Sequence, residues 1–176
     1  LSAHFYHNVL KSPDGRPGQA YFSSRKLSPQ TIVKYGLGYA PAGWNTLRDY
    51  LKSKGFSYEQ MYEAGLVNKS PKGSYYDAFR NRVVFPIVDL RKNVIGFGGR
   101  VLDDSKPKYL NTNDTPVFKK SRNLFSLNFA KNKIENGRLI LAEGYMDVIA
   151  VNQAGFENVV ATLGTALTPE QARLIA

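Results

Sequence analysis

The spacing of apolar positions changes character about halfway along the chain. Up to about residue 65 they recur at three- and four-residue intervals, as in short amphipathic helices; from residue 82 they gather into strand-like runs. Ser28 as cap and Pro29 in the first turn predict a helix that turns Ile32, Val33 and Leu37 to the core and stops at Gly36. Asn45 is the expected cap of the next, with Leu47, Tyr50 and Leu51 facing inward until Gly55. Ser57 is the cap of a third, carrying Glu59 and Gln60 in its first turn and ending at Gly65. Upstream, residues 4–10 read as a helix end, Pro13, Gly15, Pro17 and Gly18 as a turn-rich break, and Ala20–Arg25 as a further helix. A short strand is expected near Leu37–Tyr39.

The runs 82–89 and 94–101 predict a β-hairpin, with Pro86 marking an edge or a bulge. Gly96, Gly98 and Gly99 share part of a dinucleotide fingerprint, yet they sit inside a strand and not between a strand and a helix. A bulge, or close approach by another backbone, is the expected reason for them. Residues 127–136 predict a helical connection. From Arg138 the pattern runs strand (138–142), helix (145–154, stopped by Gly155), strand (158–162) and helix (from Thr168–Pro169–Glu170). Such a β-α-β-α series opens a parallel, doubly wound sheet, and the fold class is therefore α/β. Two strands do not bury both faces of that sheet, so the chain is expected to stop inside a domain.

Composition changes this picture in two respects. Cysteine is absent, which excludes disulfides and cysteine-based zinc sites within these residues and fits a cytoplasmic protein. No apolar stretch approaches the roughly 18 residues of a membrane span, and no leader pattern opens the chain. The net charge of +10 is unevenly placed. Residues 1–68 carry eight Lys/Arg against four Asp/Glu, residues 69–122 twelve against five, and residues 123–176 four against five. A basic stretch before a slightly acidic one suits a polyanion track that leads to carboxylates, although a plain solvated Lys/Arg surface has the same composition.

Those carboxylates stand at Glu143 and Asp147. Leu139–Ile140–Leu141–Ala142 is an apolar run that ends in Glu143 and Gly144, with Asp147 one helical turn further on. Ligands collect at the carboxyl end of strands in an α/β sheet, and oxygen donors beside a permissive glycine suit a metal–phosphate site. A solvated Glu143 with Asp147 complementing a helix N-terminus is the competing reading of the same spacing. Upstream, Arg80–Asn81–Arg82, Arg100, Lys106–Asn111 and Lys119–Arg122 place cations beside amides and an aromatic. Arginine grips phosphate through two parallel N–H groups, lysine supplies a point charge, and Tyr109 offers a ring for an unpaired base. His4 and His7 have metal-compatible spacing but no acidic or thiol companion.

Several of these segments together resemble the bacterial replicative primases of the DnaG type. They are Arg80–Ile87, Ile95–Leu102, Pro107–Asn111 and Glu143–Val148, with Tyr35–Pro41 and Ala161–Thr168 extending the likeness over nearly the whole chain. The resemblance implies a basic N-terminal subdomain of a catalytic core (1–126), a helical connection (127–137) and the first part of a Toprim domain (138–176). It implies that Glu143 is catalytic and a metal ligand, and that Asp147 is a weaker ligand. It places Arg25, Arg80, Arg82, Arg100, Lys108, Tyr109, Asn111 and Lys120 on the surface that binds template or nucleotide.

The family makes short RNA primers on single-stranded DNA from ribonucleoside triphosphates with Mg2+ or Mn2+, at the replication fork in the bacterial cytoplasm. Its further acidic residues, its zinc module and the domain that meets the replicative helicase lie outside residues 1–176. The resemblance therefore implies a nucleotidyltransferase of which this stretch is half an active site and is inactive alone. Two other readings stand beside it: a single-strand-binding module without catalysis, and a Toprim nuclease or topoisomerase, which the Arg/Lys–Tyr segments disfavour.

Overall fold

A computed structural model describes residues 1–134, 136–164 and 166–175. Helices α1 (Ser2–Lys11), α2 (Arg16–Ser24) and α3 (Pro29–Lys34) precede strand β1 (Gly38–Ala40). Then come α4 (Thr46–Ser53), α5 (Tyr58–Glu63) and the small hairpin β2 (Val67–Lys69) and β3 (Tyr75–Asp77). Strands β4 (Arg82–Val88), β5 (Val94–Val101) and β6 (Tyr109–Asn111) complete an antiparallel sheet in the order β1-β4-β5-β6. The last part holds α6 (Leu127–Ala130), β7 (Ile140–Ala142), α7 (Tyr145–Gln153), β8 (Val159–Ala161) and α8 (Pro169–Ile175). Strands β7 and β8 pair in parallel across α7, as the apolar pattern predicts.

The local signals act as expected wherever they are self-contained. Ser28 Oγ accepts from Thr31 N–H, and Ser57 forms a capping box with Gln60. Gly36, Gly55 and Gly65 end their helices with positive φ. Elsewhere tertiary context overrides them. Helix α2 begins at Arg16, so Pro17 sits in its first turn, where a missing N–H costs nothing, and Gly18 packs directly on Leu10 and Tyr39. Asn45 makes no side-chain cap. Buried Asp77, distant in sequence, accepts instead from the N–H groups of Leu47 and Arg48, each at 2.8 Å. Val33 faces outward and Thr31 is buried in its place. The expected helix over 127–136 is one turn, Leu127–Ala130, followed by turns; Glu135 lies outside the described residues.

The two faces of the antiparallel sheet bury different partners. Cross-strand pairs share a face, so Tyr39, Val83, Arg100 and Tyr109 point one way, and Phe85, Gly98 and Asn111 continue that face. Against it pack Phe22 of α2 and Tyr145, Val148 and Ile149 of α7, in one buried cluster. The other face carries Ala40, Val84 and Phe97 against Tyr6, Leu47 and Leu51. Pro86 is buried beyond the end of β1, which pairs only Arg82 to Val84, so its absent N–H faces an unpaired stretch of β4; the bulge lies at Ile87/Val88.

The α2–α3 region and the parallel unit are also clamped by polar contacts. Gln153 accepts from Ser28 N–H and donates to the Lys26 carbonyl, and Lys34 reaches Asn152 and Glu157. Tyr35 and Ser126 hydroxyls meet at 3.2 Å, and burial pushes the Tyr35 hydroxyl up to about 12. Glu157 bridges Lys34 at 2.9 Å and Lys133 at 2.7 Å. The hydrogen bond from Lys133, then that from Lys34, draws the Glu157 carboxyl from its ordinary 4.5 to about 2. Folding favours the ionised form, so this contribution is complete above pH 4.5 and fades as pH falls towards 2. Carbon-detected NMR titration is expected to place the Glu157 midpoint near 2, and Lys34→Met to move it towards 4.5. A midpoint already at the ordinary value would remove the clamp.

Candidate nucleic-acid interface and carboxylate site

Glu143 leaves the end of β7, Gly144 precedes α7, and Asp147 lies in the first turn of α7. Both carboxylates are exposed. The Asp147 carboxylate leans back towards Gly144, where an added Cβ would come within 3.4 Å of Oδ2. Asp147 therefore faces the turn that carries Glu143. Two exposed carboxylates on one strand–helix turn are a partial donor set for a hard divalent cation, which takes oxygen ligands and keeps several waters. Among the described residues no cluster of three or more His, Asp or Glu forms a complete cation site.

Tyr145 fastens this turn to the antiparallel sheet. Its ring stacks on Phe85 (5.0 Å, 4°) and meets Phe125 edge-on (4.7 Å, 85°). Its hydroxyl donates to Asn111 Oδ1 at 2.6 Å, and Asn111 Nδ2 donates to the Leu163 carbonyl at 2.9 Å. Burial raises the Tyr145 hydroxyl far above its ordinary value, so it stays a protonated donor. The glycines of β5 owe their identity to rings and not to neighbouring backbone. A Cβ on Gly98 would stand 2.4 Å from Tyr145 Cζ, one on Gly99 2.7 Å from Phe79, and one on Gly96 3.2 Å from Phe118.

Asn111 thus spends both ends of its amide inside the protein, linking β6 to the first residue of α7 and to Leu163 just after β8. Two residues earlier on the same strand and face, about 7 Å away at strand rise, stands half-exposed Tyr109, opposite Arg100. The Arg100 guanidinium lies over the Tyr21 ring at 4.7 Å, as does that of Arg25 at 5.3 Å. Lys108 and Lys120 are not held by any ion pair among the described residues. The remaining two arginines behave differently. Arg80 lies over Trp44 (4.1 Å) and Tyr76 (5.2 Å) and donates to the Asp77 carbonyl.

Arg82 is buried on the opposite face from Arg100, its guanidinium 3.5 Å from the Gly99 and Lys108 carbonyls, and burial first and Arg80 second lower its pKa. Its geometry is that of a strut for β5 and the residues before β6. The structure also draws in two residues that the sequence reading passes over: Tyr21, and Trp44, which is 61% exposed beside Arg80. The helical i,i+4 relation of Tyr21 and Arg25 was the available signal for the first. A cavity of about 590 Å3, lined by His7, Val33, Lys34, Phe125 and Phe129 among others, contains none of these site residues.

Residues 5–131 match the DNA primase catalytic core, N-terminal domain, and residues 137–175 match the Toprim domain. The chain belongs to the DNA primase catalytic-core family. The DNA primase of Clostridium acetobutylicum is 48% identical over 172 residues, 98% of this chain and 28% of that protein. The RNA polymerase domain of Mycobacterium tuberculosis primase DnaG superposes with a TM-score of 0.92 at 35% identity, over 99% of this chain and 57% of that one. A DnaG primase catalytic domain bound to single-stranded DNA superposes with a TM-score of 0.88 at 41% identity, over 98% of this chain and 56% of that one. The chain thus spans a little over a quarter of the length of the curated primase it matches. No helix among the described residues is long and apolar enough to cross a membrane.

Proposed function

We propose that this chain is the template-handling half of a primase active site, in a longer protein that synthesises short RNA primers on single-stranded DNA from ribonucleoside triphosphates. The carrying observation is the common sheet face: Arg100, Tyr109 and Asn111 share it, and the Glu143 turn is pinned against it through Tyr145. Arg25, Arg80, Arg100, Lys108 and Lys120 grip phosphates, Tyr109 and Trp44 offer rings to unpaired bases, and Arg82 and Asn111 hold the strands that carry them. Residues 1–126 form the basic subdomain, 127–137 the connection and 138–176 the start of the Toprim unit. The setting is the bacterial cytoplasm, and the zinc module and helicase-binding domain belong to the longer protein.

Glu143, aided by Asp147, would hold Mg2+ or Mn2+ together with carboxylates from beyond residue 176. A cation held there would supply electrostatic stabilisation for the charge that develops on the attacking and leaving oxygens. The chain's own residues orient the reactants: cationic side chains fix template and triphosphate, and Tyr145 and Asn111 fix the distance from that track to Glu143.

Single-strand affinity of the full-length protein is expected to fall with salt, with a log–log slope of about −3 or steeper, since each neutralised phosphate contributes about −0.7. Lys108→Ala should flatten that slope by about 0.7. Salt-independent binding would overturn the basic-track reading.

A further inference from the structure

The pairing of Tyr21 with two arginines has a consequence beyond general phosphate attraction. Arg25 closes α2 one turn after Tyr21, and Arg100 arrives from β5, so the two cations come from separate elements onto one ring. Like charges brought together repel, and no Asp or Glu pairs with either guanidinium among the described residues. The electron-rich face of the half-buried Tyr21 ring offsets that repulsion. A guanidinium lying over a ring presents its in-plane N–H groups outward, and Arg100 spends only one of its five, on the Val101 carbonyl at 3.0 Å. Tyr21 itself is seated by its neighbour: Phe22 is fully buried and meets Phe85 edge-on. The ring that positions both arginines is thereby fixed to the sheet face that leads to Glu143. Burial raises the Tyr21 hydroxyl while Arg100 and then Arg25 oppose it, in keeping with this close approach.

We propose that Tyr21 is a positioning residue which holds Arg25 and Arg100 as one preorganised grip for a single phosphate group. The proposal rests on the primase reading for its ligand, which is either a phosphodiester of the template strand or the triphosphate of the incoming nucleotide. The arginines touch the phosphate; Tyr21 acts through them.

The test uses the full-length protein, with Tyr21 replaced by phenylalanine and by phenylalanines of increasing ring fluorination, which keep the shape and remove the electron-rich face. One arm measures affinity for an oligo(dT) strand without nucleotide, and the other measures ATP affinity without DNA. Phe at position 21 is expected to retain affinity, and successive fluorination to lower it to about tenfold below that level in at least one arm; that arm names the source of the phosphate. In an Arg25→Ala/Arg100→Ala background the fluorine series should be flat. A flat series with the arginines present, or an equal decline without them, would overturn the proposal. If the unsubstituted protein bound neither probe, the primase reading itself would fail, which is a distinct result.

Discussion

Replacing Glu143 with glutamine in the full-length protein is expected to cut primer synthesis by at least about 100-fold, with the fold intact. The substitution keeps the shape of the side chain and removes the charge that, in the proposed function, would draw a divalent cation to the end of β7. Loss of about 2.7 kcal/mol of transition-state stabilisation corresponds to that factor, and metal ions supply several kcal/mol in reactions of this kind. Glu143 is exposed and makes no hydrogen bond to another side chain among the described residues, so stability should change by less than about 0.5 kcal/mol. Oligo(dT) affinity should persist, because the cations proposed to grip phosphate lie on other elements. Primer synthesis at the unsubstituted rate would remove Glu143 from the chemistry. A matching loss of strand affinity would show that it shapes the track and does not act on the reacting phosphate.

What the chain announces in advance, and what it conceals, follows from the range of the interactions. Ser28, Ser57 and the glycines at 36, 55 and 65 act on their own helix ends, so their roles read directly from neighbours in sequence. The parallel β7-α7-β8 unit is legible for the same reason: an apolar run of strand length ends in a glycine and reopens as a helix. The failures are long-range. Asp77 caps α4 from across the small hairpin, leaving Asn45 without that task. Arg82 and Arg100 look alike in sequence, yet alternation along two antiparallel strands sends them to opposite faces, one buried and one towards the proposed template. That distinction needs the register, which sequence spacing does not contain. Glycines 96, 98 and 99 were equally opaque, because each answers to an aromatic ring from a different element.

Gly98 carries the second large expectation, since one methyl group there strikes the joint between the basic sheet and the carboxylate turn. In Gly98→Ala the new Cβ would lie 2.4 Å from Tyr145 Cζ and 2.6 Å from its hydroxyl. The ring has little freedom to withdraw: Phe85 covers its face, Phe125 meets it edge-on, and Asn111 holds its hydroxyl. Overpacking of this kind costs about 1–3 kcal/mol, and displacing the hydroxyl from Asn111 adds about 1 kcal/mol. Reduced freedom of the unfolded chain returns about 0.4–1 kcal/mol. The net expectation is destabilisation of about 2 kcal/mol, read as a lower urea midpoint at unchanged slope. In a Tyr145→Ala background, where the ring is gone, the same substitution should cost almost nothing, giving a coupling energy of about 2 kcal/mol between the two positions. Strictly additive effects would mean that the strand, and not the ring, dictates glycine at this position. Because Tyr145 follows Glu143 by two residues, a displaced ring also moves the carboxylate relative to Arg100 and Tyr109. Gly98→Ala should therefore lower primer synthesis more than it lowers oligo(dT) affinity, even at temperatures where the variant is fully folded.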